Sequence, residues 1–319
     1  MGIIVEDGGV LTTVQDEGRF GYQQYGVSPA GPMDTRSFYL ANILAGNPRG
    51  EAALEITFMG PRMRFDQDIG IAITGGDLSP MVQGKAVPMY QAIKIKAGEI
   101  LSFGGMKNGC RGYIAFAGGL DVPVVMGSRS TLLRNNLGGM KGRKLLQGDE
   151  ISFLAPKADL PFMEIRNIYH EKFPEKEVVL RVVLGPQEDA FTEQGVKNFF
   201  WHSGVISNEF DRMGCRIECD PIEHRGDGNI NTDGISFGSI QIPTNGKPII
   251  MLADRQSTGG YAKIGTVVSV DLPLLAQSMP GKRIRFVQVS LDLAQDLYIR
   301  QLNRLKELEE KFGNTEKDV

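Results

Sequence analysis

The sequence predicts a β-rich protein of two domains. Glycine fills 40 of 319 positions, close to twice its usual ~7% share, and glycine is avoided inside helices. Apolar runs are short and bounded by Gly, Pro and Asn clusters, the punctuation of strands joined by tight turns. At ~100–200 residues per domain the length suits two, and 41% hydrophobic with 23% charged residues supports a packed core in each.

Residues 3–14 read as two strands broken at Gly8-Gly9, followed by a charged loop through Asp16, Glu17 and Arg19. Pro32 and Asp34 suit a helix start, Phe38, Ala41, Leu44 and Ala45 form an apolar stripe, and Gly46-Asn47-Pro48 is a stop, so a helix is predicted over 34–45. Strands are predicted at Ala53–Phe58, Ile69–Thr74, Ala92–Ile95, Glu99–Phe103, Tyr113–Ala117 and Glu150–Leu154. Two of them run into Gly-Gly and an acidic residue: Gly75-Gly76-Asp77 and Gly118-Gly119-Leu120-Asp121. Such a repeat is either a reused turn or a pair of backbone loops lining one cleft.

Residues 156–177 mix Pro, Lys and Glu and read as a linker. Beyond it come a strand Val178–Leu184, a short helix Thr192–Phe200, a loop-to-strand passage from Ile206 to Ile217, and an alternating strand from Asp233 to Pro243. Strands Val267–Val270 and Arg283–Val289 follow. A helix closes the chain from Leu291 to Phe312, with Leu291, Ala294, Leu297, Leu302, Leu305, Leu308 and Phe312 at near-helical spacing and Asp296–Arg300 and Glu307–Lys311 as four-apart ion pairs. The domains are therefore placed at 1–160 and 161–290, with helix and tail at 291–319.

The densest polar stretch is Asp254-Arg255-Gln256-Ser257-Thr258-Gly259-Gly260-Tyr261-Ala262-Lys263, reached from a buried apolar run at Ile249–Ala253. Gly-Gly there marks a tight turn where backbone can approach a ligand. The stretch is either a site presented at a strand end or a solvated turn whose Asp254 and Arg255 form a buried ion pair.

Several chemistries are excluded or disfavoured. A formal charge of −3 offers no footprint for nucleic acid. No run approaches the ~18 apolar residues of a membrane span, and no basic segment precedes an apolar one at the N-terminus, so a cytoplasmic protein off the membrane is expected. Cys110, Cys215 and Cys219 lack metal or redox spacing and read as reduced thiols. The glycine-rich 138–142 segment lacks the Lys-Ser/Thr of a phosphate loop. Gly234-Ile-Ser236-Phe-Gly238 matches a nucleophile-elbow pattern, but His170, His202 and His224 all precede it, against the order of that triad. No metal site is expected.

Thr13-Val-Gln-Asp16 through Gly21, Met33-Asp34, Ala53-Leu-Glu-Ile56, Ala117-Gly-Gly-Leu-Asp121, Gly127-Ser-Arg-Ser-Thr131, Asp211-Arg-Met-Gly214, Gly238-Ser-Ile-Gln241 and Leu252–Tyr261 occur here in one order. Together they resemble the biotin-dependent carboxyltransferase, or allophanate hydrolase subunit 2-like, family, over about residues 3–288. Ser257, Ala262 and Cys215 depart from its common Thr, Pro and Tyr. The resemblance implies two cyclophilin-like β-barrel domains and, for a stand-alone chain, the C subunit of an ATP-dependent 5-oxoprolinase that opens the 5-oxoproline lactam to glutamate. Inactive alone, such a chain would act with a KipI-like B subunit, its heteromeric partner, together with the A subunit of the 5-oxoprolinase. It would use ATP in the assembled complex and carry no biotin itself. Alternatives within the resemblance are a KipA-like regulator that binds a KipI-like kinase inhibitor, or the carboxyltransferase component of a biotin-dependent urea carboxylase-type enzyme. The expected catalytic groups are Asp254 as base or as orienter of Arg255, Arg255, Gln256, and Lys263 on a phosphoryl oxygen. Expected binding groups are Gly75, Gly76, Asp77, Gly118, Gly119, Arg212, Gln241, Thr258, Gly259, Gly260 and Tyr261, with Arg255 or Arg212 clamping a carboxylate.

Overall fold

A computed structural model describes residues 2–313; the expected tail at 314–319 lies outside the described residues. The chain is mainly β and divides into two compact units. One comprises the residues up to Arg19, Ala30–Phe173 and those from Leu302 on; the other comprises Phe20–Pro29 and Pro174–Gln301. Against the expected cut at 160, the change of unit falls at Phe173, the segment Phe20–Pro29 counts with the second unit, and the terminal helix is shared.

The first unit holds its core between two sheets. Seven strands run in the order Leu120–Asp121, Glu150–Phe153, Gly2–Asp7, Arg62–Phe65, Ile100–Phe103, Pro80–Val82, Lys85–Ala86. Five run in the order Leu11–Gln15, Ala53–Thr57, Asn108–Phe116, Ile69–Asp77, Ala92–Ile95. Ile3, Val5, Met63, Phe65 and Leu101 from the first sheet meet Val14, Leu54, Ile56, Ile71 and Ile114 from the second in one buried cluster. The outer face of the five-stranded sheet, through Ala53, Ala72, Tyr113 and Ala115, packs on the helix Thr35–Leu44. Asp34 caps that helix as predicted, accepting from the Ser37 amide at 2.9 Å, a contact worth about 1 kcal/mol.

The loop through Asp16 and the segment Ser128–Ser130 are tied by one carboxylate. Asp16 accepts from Ser128 Oγ (2.5 Å), the Arg129 amide (2.5 Å), Ser130 Oγ (2.6 Å) and the Gly18 amide (3.0 Å). Two motifs of the resemblance thus form a structural clasp. Gly118, by contrast, answers a steric demand: its φ is +89° and an added Cβ would lie 1.7 Å from the Ala155 carbonyl oxygen.

The second unit closes into a barrel in the order Glu177–Leu184, Lys263–Val267, Ser239–Gln241, Ile249–Met251, Gly214–Glu218, Gly204–Phe210, Arg283–Gln288, which returns to Glu177–Leu184 as its parallel neighbour. Val178, Leu180 and Val182 alternate inward along the closing strand. The passage from Ile206 to Ile217 is a hairpin rather than a loop leading to one strand. The stretch Asp233–Pro243 is not one strand: Asn229–Gly234 pairs with Thr258–Tyr261 in a separate two-stranded ribbon, and the chain turns at 235–238 before Ser239–Gln241 enters the barrel. The turn predicted at Gly259-Gly260 is therefore a strand, and the strand predicted at Val267–Val270 ends at Val267.

The final helix spans Leu291–Lys311, and only the end of its predicted stripe is buried: Leu305 and Leu308, with Phe312 just beyond. Arg166 holds that end by donating to the Phe312 carbonyl (2.6 Å) while its other nitrogens reach the carbonyls of Ile43 (3.1 Å) and Pro161 (2.7 Å). The helix carries Arg304–Glu307 and Lys306–Glu310 ion pairs in place of the two predicted. Among the described residues no helix is long and apolar enough to cross a membrane.

Replacing Asp16 by Ala strands two hydroxyls and two amides. It should lower unfolding stability by about 2–3 kcal/mol, read as a reduced urea midpoint at unchanged slope; an unaltered midpoint would rule the clasp out as a stabilising element.

Candidate functional site

The polar stretch sits where two turns of the barrel unit are stapled together. Leu252 N donates to the Met213 carbonyl (3.0 Å) and Asp254 N to the Arg212 carbonyl (2.8 Å). Across this frame the Arg212 guanidinium grips the Asp254 carboxylate in two prongs, Nε–Oδ2 at 3.0 Å and Nη2–Oδ1 at 2.9 Å, with both side chains about 95% buried. The buried ion pair at this turn is thus Asp254 with Arg212 rather than with Arg255. Both carboxylate oxygens of Asp254 and the two-pronged face of Arg212 are engaged with each other, an arrangement suited to a positioning role. They position what surrounds them.

Ser28, from the segment that joins this unit, donates its hydroxyl to the Arg255 carbonyl at 2.6 Å. Arg255 spends Nε on the Ile235 carbonyl (3.1 Å) and Nη1 on the Leu252 carbonyl (3.2 Å), and lies 5.7 Å from the Phe237 ring centroid. Nη2 keeps donors to offer to a cavity of about 630 Å³ that Arg255 lines. Burial pulls the guanidinium down to about 10, the neighbouring Asp254 charge working the other way. Lys263 lines the same cavity, its Nζ 2.6 Å from Asp233 Oδ2 and 3.1 Å from the Gly234 carbonyl. The Lys263 hydrogen bond holds the Asp233 carboxyl below its ordinary range, helped by the Gly234 amide. Ser236, Ser239, Ser257 and Thr258 add hydroxyls to the wall. The chemistry on offer is one incompletely satisfied guanidinium, one ammonium–carboxylate pair and several neutral donors, suited to holding a small anion beside a carbonyl that develops charge.

The other expected residues lie elsewhere. Gln241, Gln256 and Tyr261 line a second cavity of the barrel unit, about 490 Å³, together with Asn208, Met213 and Met251. Gln241 is 1% exposed and its Nε2 has no hydrogen-bond partner, a state that costs about 1–3 kcal/mol. Gly259 and Gly260 form the ribbon strand that brings Thr258 to the first cavity and Tyr261 to the second. Gly75 and Asp77 belong to the first unit, where they line a separate cavity with Tyr90, Lys107 and His170. The Tyr90 hydroxyl bridges the amide (2.9 Å) and carbonyl (3.1 Å) of Gly75. Gly76 is buried within its strand, and Gly118-Gly119 form a turn that does not line that cavity. The two Gly-Gly segments therefore do not share a cleft.

Sequence reading missed Asp233, Ser236 and Ser239 as wall residues. A pointer exists in the Asp-Gly-x-Ser-x-Gly run, whose serine and aspartate are polar groups held at a tight turn as well as a nucleophile-elbow pattern. Ser236 Oγ in fact sits 2.8 Å from Ser239 Oγ, in a turn that opens no helix. Among the described residues no cluster of His, Cys, Asp and Glu is arranged to hold a metal.

A closed barrel bearing a stapled polar turn, joined to a two-sheet unit, defines a carboxyltransferase-type module. The carboxyltransferase domain model, subdomains A and B, matches residues 25–288, and the chain belongs to that family. It is 36% identical over 301 residues to the 5-oxoprolinase C subunit of Escherichia coli (strain K12), covering 92% of this chain and 95% of that one. To the 5-oxoprolinase C subunit of Haemophilus influenzae it is 33% identical over 304 residues, with the same two coverages. The crystal structure of Kluyveromyces lactis urea amidolyase superposes with a TM-score of 0.89 at 31% identity, over 96% of this chain but 20% of that one. The K. lactis urea carboxylase structure matches at 0.89 and 30% identity over all of this chain and 30% of that one. The mainly β architecture and the terminal helix expected from the sequence hold; of the two barrels expected, the second unit forms a closed one and the first unit is built of two sheets.

Two outcomes follow from the geometry. Asp254→Ala leaves the Arg212 charge buried and should cost about 3–5 kcal/mol of stability, whereas Lys263→Met, whose partner Asp233 is half exposed, should cost no more than about 1 kcal/mol; urea denaturation of both variants separates frame from wall, and equal losses would contradict the distinction. Calorimetric titration with pyrophosphate at neutral pH should show Arg255→Met losing at least about tenfold in affinity. Affinity unchanged by that substitution would exclude Arg255 as the anion-holding group.

Proposed function

We propose that this chain is the C subunit of an ATP-dependent 5-oxoprolinase, opening the 5-oxoproline lactam to L-glutamate together with the A and B subunits. The observation that carries the reading is end-to-end similarity to the E. coli 5-oxoprolinase C subunit, with 95% of that protein covered, where the urea enzymes are matched over a fifth to a third of their length. A KipI-like B subunit is the proposed direct partner.

In this reading the first barrel cavity receives the substrate. Arg255 Nη2 takes the carboxylate, Lys263 and the wall hydroxyls steady oxygen charge as the amide carbonyl is activated, and the Arg212–Asp254 pair fixes Arg255 in place. An amide is a poor electrophile, and ATP would supply the activation in the assembled complex. The glycine-rich stretch folds back on itself, with an added Cβ at Gly139 lying 1.8 Å from Thr131 Oγ1 and one at Gly142 lying 2.0 Å from the Asn136 carbonyl carbon, so this segment offers no open phosphate cradle.

The close superposition on urea amidolyase favours one second reading, a carboxyltransferase in which the same cavity serves an amide or amine acceptor. Co-expression with the A and B subunits should give ATP-dependent glutamate release that vanishes when this chain is omitted and falls at least a hundredfold with Arg255→Met. Absence of release from the full set, with a biotin carrier co-purifying, would replace the first reading by the second.

A further inference from the structure

The first unit holds a cavity of about 560 Å³, a size within the roughly 300–1,000 Å³ of small-molecule sites. Part of its wall is aromatic. The His170 ring lies nearly parallel to Tyr90, with centroids 4.1 Å apart at 12°, and Phe173 lies 4.9 Å from it at 53°. Each of these rings is held by its neighbours. Tyr90 is tied through its hydroxyl to both backbone groups of Gly75. The Asn108 carboxamide grips the main chain of Phe173 twice, accepting from its amide (2.8 Å) and donating to its carbonyl (3.0 Å). Between them the Ile168 amide donates to the Tyr90 carbonyl at 3.0 Å. Burial pushes the His170 imidazole down to about 4, with the Arg36 charge acting in the same direction, so the ring is a neutral plate at physiological pH. Two residues of the wall, Ser79 and Tyr90, hold a left-handed φ of +55°. That conformation is uncommon for residues with a side chain, persists where the surroundings enforce it, and gathers at ligand sites.

The charged groups of the lining are Lys107, Lys172 and Asp77. Asp77 spends Oδ1 on the Ser79 amide at 2.9 Å, and among the described residues neither lysine forms an ion pair. Cations therefore outnumber anions beside a surface of rings and the thioethers of Met81 and Met89. We propose that this cavity binds a small aromatic carboxylate, its flat ring against His170 and the two methionines and its carboxylate at Lys107 and Lys172. Aromatic edges and polarisable sulfur favour a flat ring over a saturated one, and an ammonium left without a carboxylate gains from one brought by the ligand. A cationic ligand, which an aromatic wall would otherwise suit, is opposed by both lysines. A bare inorganic anion gains little, because the lysines are exposed and an ion pair in water is weak; the ring supplies the rest. Tyr169 stands 89% exposed at the rim, where it can fold over a bound ring. The site belongs to the first unit alone, so it stands apart from the Arg255 cavity and from any glutamate release by the complex.

The test uses the whole chain with its methionine methyl groups labelled by carbon-13, titrated with indole-3-carboxylate. The Met81 and Met89 resonances should shift saturably. Indole-3-carboxamide, with the same ring and no charge, should bind at least about tenfold more weakly to the same wild-type protein, and acetate at equal concentration should leave both methyls unmoved. Replacing both exposed lysines, Lys107→Met with Lys172→Met, should cost at least about tenfold for the acid and leave the carboxamide's affinity as it was. Equal binding of acid and carboxamide, acetate competing on level terms with the indole acid, or methyl resonances that stay still would each overturn the proposal in wild-type protein, without any variant having to fold.

Discussion

The buried grip of Arg212 on Asp254 is the contact on which the barrel unit's polar architecture depends. Charges taken out of water are expensive unless their geometry is close to ideal. Here a planar guanidinium meets a carboxylate in two parallel contacts, beneath two backbone hydrogen bonds that join the same turns. The result is a rigid corner at a strand end. From it Arg255 leaves toward one cavity with part of its guanidinium unspent, and the ribbon strand Thr258–Tyr261 serves both cavities from a single short segment.

Two chemically different compartments of the barrel unit arise from this arrangement. One is lined by Arg255, by the Lys263–Asp233 pair and by hydroxyls; the other sets the carboxamides of Asn208, Gln241 and Gln256 and two methionines beside Glu209, Asp211 and Arg216. Burial supplies the contrast. A guanidinium brought down to about 10 by desolvation gains from an incoming anion, whereas the buried Gln241 carboxamide carries no charge to offer.

The first unit follows a different economy. Asp16 and Arg166 are charged groups whose partners are local backbone and hydroxyls, and they fasten loop to loop and helix end to sheet-packed helix. Motifs that stand out in a sequence for their polarity therefore divide into clasps and walls, and residue type alone does not separate the two. Asp16 and Asp254 are both conspicuous carboxylates near glycines, and both hold structure in place.

Much of the fold is legible in the residues themselves. The helix Thr35–Leu44, the alternating strand at Glu177–Leu184 and the terminal helix declare themselves because capping, period and stop signals are local properties. The density of polar groups at 254–263 likewise marks the candidate site. What tertiary structure alone decided was pairing. Asp254 found Arg212, forty-two residues away, in preference to its chain neighbour Arg255, since a side chain on a turn is directed by its backbone and not by sequence adjacency. The Gly259-Gly260 segment became a strand because Asn229–Gly234 was there to pair with it, and the two Gly-Gly motifs of the first unit parted because one lies inside a strand and the other bends beneath the Ala155 carbonyl. Local propensity is written along the chain; which groups meet, and which are left open to a ligand, is fixed only when distant strands close the barrel.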